Sequence, residues 1–166
     1  IKAADMGADV ISMSLGSISS DSRQKAYEEA VKYANAKGSI VIAAAGNSNQ
    51  NAKDYSPANA KGIISVSALG PDQRKAPFSN TVKDLSYGIA APGMKILSTY
   101  PKGQYKEMDG TSMATPMVAG LVGMLKAFRP DITTQEVYNI LYETGKALPD
   151  GKSTGRMIQA ADALER

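Results

Sequence analysis

The sequence predicts an α/β fold of three layers, in which helices cover both faces of a mostly parallel β-sheet. Three observations predict it. Residues 39–45 form an apolar run without alternation, which suits a strand buried on both faces. A helical pattern separates this run from a strand pattern at residues 10–15, and strand–helix–strand units have parallel strands. With 166 residues, 43% hydrophobic and 21% charged, the chain can bury the core of one domain.

The first strand, residues 10–15, leads through a polar loop at residues 17–22 into a helix. Asp21 or Ser22 could cap this helix, and Gly38 would end it. One apolar stripe should face the sheet, because its members recur at helical spacing. The stripe comprises Ala26, Tyr27, Ala30, Val31 and Ala34.

After the strand at residues 39–45, further strands are predicted at residues 62–68 and 85–90. Residues 95–99 are another short strand candidate, and residues 104–109 could form a hairpin with residues 96–100 through a Pro-Lys-Gly turn. The composition does not shift along these segments, and no internal repeat interrupts them. We therefore expect residues 1–166 to belong to one domain.

The last third of the chain is helical. Residues 113–128 are apolar almost all round, which predicts a buried helix that Pro130 stops. Thr133 and Glu136 match a capping box, so another helix should start there. Its core face should carry Val137, Ile140 and Leu141. Residues 157–164 predict a closing helix.

Charge and composition exclude several classes of protein. The formal net charge is +3 and the basic residues are scattered, which gives no case for a nucleic-acid partner or a membrane surface. There is no cysteine, so no disulfide or thiolate metal site can form. The longest apolar stretch, residues 113–125, is too short to span a bilayer.

The most informative segment is Gly110-Thr111-Ser112-Met113-Ala114-Thr115-Pro116, at the start of the apolar helix. Thr111 or Ser112 could simply cap this helix. The neighbours favour a nucleophile instead, because Ala114 leaves space beside the Ser112 hydroxyl and Pro116 is expected in the first turn, where its missing N–H costs nothing. The positive end of the helix would favour an anion forming at Ser112.

Four ordered motifs resemble the subtilisin-like serine proteases, and together they cover essentially the whole chain. The segment around Ser112, continued by Val-Ala-Gly at residues 118–120, resembles the family's catalytic-serine motif. Residues 11–16 (ISMSLG) resemble its substrate-binding strand. Residues 41–47 (VIAAAGN) resemble the strand and loop that carry its oxyanion-hole asparagine. Residues 90–93 (AAPG) resemble the turn before its final hairpin.

The resemblance implies roles for particular residues. Ser112 would attack the scissile carbonyl, while Asn47 and the Ser112 N–H would stabilise the oxyanion. On its own, Asn47 could equally be a turn former in a polar loop. The implied substrate-binding residues are Ser14, Leu15 and Gly16, which would pair with an extended peptide, and Ala44, Ala45 and Gly46, which would line a small, neutral pocket. Such a pocket predicts tolerance of large apolar or aromatic residues.

The chain departs from the family's pattern in one decisive respect. The family's triad runs aspartate, histidine, serine, but this chain has no histidine and nothing that matches the aspartate motif. Residues 1–6 also resemble the end of a helix already under way. We therefore expect a C-terminal part of one catalytic domain, incomplete at its N-terminal side. Alone it should be inactive or nearly so and unstable as a monomer, and it should bind the missing segment non-covalently, associate with itself or aggregate.

Two methionines follow the proposed nucleophile closely in sequence. Met117 stands where the family commonly has a histidine that is not the triad base, and we expect it to face the interior of the helix. Met113 directly follows Ser112, so its oxidation would place a polar oxygen beside the site. Peroxide should therefore lower the activity of the complete enzyme, and unchanged rates with Met113 fully converted to sulfoxide would refute this.

Other readings stay open from sequence alone. Ser22 and Lys25 have the Ser-x-x-Lys spacing of a serine–lysine mechanism, at an exposed helix start. A degenerate homologue could bind a peptide or partner without cutting it. A purely structural α/β domain would leave the four motifs to coincidence.

The resemblance also bears on cofactors, partners and location. The chemistry requires no cofactor, whereas a structural calcium ion is compatible with the family; no metal ligand can be named, and the loop from Asn47 to Asp54 lacks an EF-hand pattern. Polypeptide substrates are implied, and a prosegment or an inhibitor is a further candidate partner. The resemblance favours a secreted protein, and an intracellular location stays open.

Overall fold

The computed structural model describes all 166 residues, except for the side chain of Lys152. Two 3-10 turns, Ala52–Asp54 and Gly151–Ser153, accompany five helices and nine strands among the described residues. The helices are α1 (Lys2–Asp5), α2 (Asp21–Ala36), α3 (Thr111–Phe128), α4 (Thr134–Thr144) and α5 (Ala160–Leu164). The strands are β1 (Val10–Met13), β2 (Ser17–Ile18), β3 (Ile40–Ala44), β4 (Tyr55–Ser56), β5 (Ile64–Leu69), β6 (Gly88–Pro92), β7 (Ile96–Tyr100), β8 (Gln104–Met108) and β9 (Arg156–Met157).

The central sheet has the order β1-β3-β5-β6-β9, and all four of its strand pairs are parallel. This confirms the predicted α/β class. Strand β3 shows why its apolar run does not alternate. Ile40 and Ile42 pack into the core under α3 and α4, while Val41 and Ala43 pack on the opposite face with Val31 of α2.

The predicted hairpin is also present, because β7 and β8 pair in antiparallel register. The predicted capping box of α4 forms as well: the Thr133 side chain accepts from the Glu136 N–H, and the Glu136 carboxylate accepts from the Thr133 N–H at 2.8 Å. Val137, Ile140 and Leu141 of this helix are buried.

Several local expectations were wrong. Ser20, rather than Asp21 or Ser22, caps α2. Ala26 is exposed, since the buried stripe of α2 centres on Val31 and Ala34. Within the expected polar loop, β2 pairs with β4. Within the expected closing helix, Met157 lies in a strand beside β6.

The α3 helix is buried on one side only, contrary to the prediction. Its inner face, which includes Val118 and Val122, packs against the sheet and is fully buried. Its outer face is apolar but exposed: Met117 is 42%, Met124 49% and Phe128 76% accessible. Met117 therefore does not face the interior. In the part of the chain that the structure describes, no helix is long and apolar enough to cross a membrane.

Candidate active site

Ser112 lies in the first turn of α3, at the edge of the sheet where parallel strands end. Ser14 follows the end of β1, and Asn47 comes three residues after the end of β3. Because the carboxyl ends of parallel strands share one edge of a sheet, the topology brings these three residues together. The first N–H groups of a helix have no intrahelical acceptor, so the Ser112 N–H remains available here.

A proline and a serine fix the carbonyl of Ser112. The sequence predicted Pro116 in the first turn of α3, but it is the sixth residue of the helix. Its missing N–H leaves the Ser112 carbonyl without its usual donor four residues later. The Ser14 hydroxyl replaces that donor at 2.8 Å, and the Ser112 hydroxyl donates to the Ser14 carbonyl at 3.3 Å. This reciprocal pair ties the candidate nucleophile to the end of β1.

The side chain of Asn47 is oriented by Thr111. The Oδ1 atom of Asn47 accepts from the Thr111 N–H at 2.9 Å and from the Thr111 hydroxyl at 2.8 Å. The same hydroxyl accepts from the Gly46 N–H at 3.2 Å. Neither Thr111 nor Ser112 caps α3 through its side chain, since Gly110 is the N-cap residue. With Oδ1 engaged in this way, the two Nδ2 protons of Asn47 are left for another acceptor.

The loop that carries Asn47 is held by Asn80, which sequence reasoning missed. Asn80 is fully buried. Its Oδ1 accepts from the Ser48 N–H at 3.0 Å and from the Gln50 N–H at 2.9 Å, and its Nδ2 donates to the Ala45 carbonyl at 2.8 Å. One carboxamide therefore bonds the backbone on both sides of Asn47. Nothing in the local sequence separates Asn80 from an ordinary turn asparagine.

Glycine is required at position 46. Its φ angle is +104°, and a Cβ atom there would lie 2.4 Å from the Asn80 Nδ2.

Lys75 also holds the loop that carries Asn47, because its ammonium donates to the Asn49 side chain at 2.8 Å and to the Ser79 carbonyl at 2.9 Å. Burial lowers the pKa of Lys75, and the charge of Asp150 partly offsets this.

The implied substrate-binding residues surround this centre unequally. Ser14, Leu15 and Gly16 are exposed between β1 and β2, with Leu15 51% accessible. Gly46 is half-buried and Ala44 is buried. Ala45 is fully buried and packs in a small cluster with Ala52, Ala58 and Val82, so any contact with a ligand would involve its backbone.

Ser22 and Lys25 are both exposed on α2. Among the residues that the structure describes, no group of three or more His, Cys, Asp or Glu side chains could hold a metal ion. Met113 is half-buried beside Ser112.

The chain is similar in sequence to known proteins. A family model described as the subtilase family matches residues 1–157. Subtilisin DY from Bacillus licheniformis is 38% identical over 165 residues, which are 97% of this chain and 58% of that protein. Thermitase from Thermoactinomyces vulgaris is 46% identical over 127 residues, which are 74% of this chain and 42% of that protein.

Two solved protease structures are also similar to this chain. A protease from Pseudoalteromonas arctica superposes with a TM-score of 0.84 at 35% identity, over 95% of this chain and 51% of that chain. A cold-adapted subtilisin-like serine proteinase gives a TM-score of 0.84 at 29% identity, over 95% of this chain and 57% of that chain. The chain thus spans roughly half the length of the proteins that it matches.

Proposed function

Because this chain belongs to the subtilase family of serine peptidases, we propose that it is the part of a serine endopeptidase that carries the nucleophile and the oxyanion hole. The observation that supports this most is the joint placement of Ser112 and Asn47. The hydroxyl of Ser112 is anchored to β1, while the Asn47 amide is turned by Thr111 so that its Nδ2 protons are free.

The proposed reaction is acyl transfer. The Ser112 Oγ attacks the carbonyl carbon of the scissile peptide bond and loses its proton to a base. The carbonyl oxygen becomes an oxyanion, which accepts hydrogen bonds from the Asn47 Nδ2 and the Ser112 N–H. The base returns the proton to the leaving amine, and water then hydrolyses the acyl-enzyme. No cofactor is needed in any of these steps.

The base would come from outside this chain. The sequence contains no histidine, and the chain spans about half the length of its relatives. We propose that a histidine and an aspartate in an N-terminal segment complete the triad, and that residues 1–166 alone are inactive. A two-chain enzyme and a single longer chain fit this proposal equally well.

The exposed face of α3 supports the presence of such a segment. Met117, Met124 and Phe128 form an apolar stripe on the helix that begins at the nucleophile. An apolar face of this kind is normally covered in a folded protein. We propose that the N-terminal segment covers it and thereby brings the base to Ser112.

The substrate would be an extended polypeptide that pairs with Ser14, Leu15 and Gly16. The pocket beside Ala44 and Gly46 has small, neutral walls, so cleavage should follow large apolar or aromatic residues. We expect the complete enzyme to be secreted. A prosegment or a protein inhibitor would occupy the same strand-pairing edge.

The test is hydrolysis of peptide anilides by the full-length protein. Cleavage after phenylalanine should exceed cleavage after lysine, and both Ser112→Ala and Asn47→Ala should lose activity, with KM little changed for Asn47→Ala. A correctly folded full-length protein that binds peptide without cleaving it would instead identify a non-catalytic homologue.

A further inference from the structure

A cavity lies away from the proposed active site, at the opposite edge of the sheet. It has a volume of about 420 Å³ and is open to solvent on one side. Gly88, the first residue of β6, and Arg156, the first residue of β9, both line it. Ser14 and Asn47 instead follow strand ends, so the cavity and the nucleophile occupy opposite edges of one parallel sheet.

The walls of the cavity are aromatic. Tyr138 and Tyr142 are four residues apart on α4, so they project from one side of the helix. Their ring centroids are 5.7 Å apart, and Tyr87 lies 4.9 Å from Tyr138. Leu148 extends the apolar wall. Such walls suit a planar or branched apolar group.

The charged side chains among the described residues that line the cavity are positive. Arg156 and Lys83 carry the charges, and none of the described lining residues is a carboxylate. The Arg156 guanidinium lies 5.3 Å from the Tyr142 ring, and its Nε donates to the Gly145 carbonyl at 2.7 Å. This arrangement fixes the guanidinium plane while its two terminal nitrogens retain donors for a ligand.

A neutral hydroxyl also faces the cavity. Tyr138 is half-buried, and its hydroxyl reaches the Gly88 carbonyl only at 3.5 Å, the outer limit of a hydrogen bond. Burial raises the pKa of Tyr138, and the neighbouring Tyr142 and Tyr87 raise it further. The hydroxyl therefore keeps its proton near neutral pH and can donate to a better-placed acceptor.

From these contacts we propose that the cavity is a second ligand site, which binds a carboxylate carried on an aromatic or large apolar group. The ring would pack against the wall that Tyr138, Tyr142 and Leu148 form, while the carboxylate would accept from Arg156 and Lys83. The C-terminal residue of a peptide with a large apolar side chain has this chemistry. The proposal does not depend on the peptidase activity.

The probe is N-acetyl-phenylalanine, and its amide is the matched neutral control. The full-length protein, with Ser112→Ala to prevent any cleavage, would carry ¹³C-labelled tyrosine and be titrated by NMR. We expect saturable shifts of the Tyr138 and Tyr142 signals with a dissociation constant on the order of 1 mM, typical of a ligand this small. The amide should bind at least about tenfold more weakly, because a charge-assisted hydrogen bond is lost.

Two variants make the test specific. Arg156→Gln should weaken binding of the acid about tenfold or more, whereas Arg129→Gln, an exposed arginine beyond the end of α3, should leave it unchanged. Lys83→Ala, a change at an exposed position, gives a second readout should Arg156→Gln unfold. The proposal is overturned if acid and amide bind equally, if the tyrosine signals do not saturate, or if both Arg156→Gln and Lys83→Ala fold and bind like the parent.

Discussion

Replacing Asn80 should test how Asn47, the proposed oxyanion donor, is held. Asn80→Ala removes two acceptor bonds and one donor bond, and it leaves the Ala45 carbonyl and the N–H groups of Ser48 and Gln50 to find new partners. A buried group left unpaired costs about 1–3 kcal/mol. Water can enter the vacated space and satisfy some of them, so we expect a loss of about 2–4 kcal/mol in the free energy of unfolding.

The effect on catalysis should be separable from the effect on stability. Thr111 still holds the Asn47 Oδ1 in this variant, so the donor is loosened rather than lost. Complete removal of such a donor in subtilisin, a relative of this chain, costs roughly 10²–10³ in kcat, which sets the upper bound. We expect kcat to fall about tenfold, with KM changed less than about twofold.

The assay is steady-state hydrolysis of a peptide anilide by the full-length enzyme, at a temperature where urea titration shows each variant to be folded. Asn139→Ala is the matched control, because Asn139 is exposed on α4. If kcat for folded Asn80→Ala stays within about twofold of the parent, Asn80 does not position Asn47 and the reasoning fails.

Three further predictions follow from other contacts. Ser14→Ala should lower the free energy of unfolding by about 0.5–1.5 kcal/mol in urea titrations, because the Ser112 carbonyl loses its donor; an unchanged midpoint would refute it. Phe128→Glu should reduce self-association of residues 1–166 in sedimentation experiments, and it should lower the free energy of unfolding of the full-length protein. If neither effect is seen, α3 is not covered by another segment. The Thr133 hydroxyl and backbone N–H lower the pKa of Glu136, so its stabilising contribution should be present above the ordinary carboxyl range and be lost as the pH falls through the lowered pKa; an acid melting curve for Glu136→Gln that parallels the parent's would contradict this.

Sequence patterns predicted the layers of the fold well because burial leaves a direct trace in composition. The uniform apolar run of β3 predicted a strand covered on both faces, and Ile42 and Val41 indeed pack into opposite clusters. The capping box at Thr133 was equally readable, since it depends on two residues three positions apart. Local spacing was not sufficient everywhere, since the α2 cap is Ser20 and Ala26 is exposed.

Long-range contacts were not recoverable from spacing. Asn80 contacts Ala45 across 35 positions, and Ser14 contacts Ser112 across 98, with no local pattern to indicate either pair. The exposed outer face of α3 was missed for a related reason. A helix that is apolar almost all round favours burial on every side, but Phe128 on its outer face is 76% accessible.

The most direct test of the central claim is fluorophosphonate labelling of the full-length protein, read by intact and peptide mass. An activated serine at the start of α3 predicts one stoichiometric adduct on Ser112, abolished both by Ser112→Ala and by replacement of the histidine proposed for the N-terminal segment. Absence of an adduct on a folded protein, or equal labelling of the Ser112→Ala variant, would contradict the assignment of Ser112 as the nucleophile.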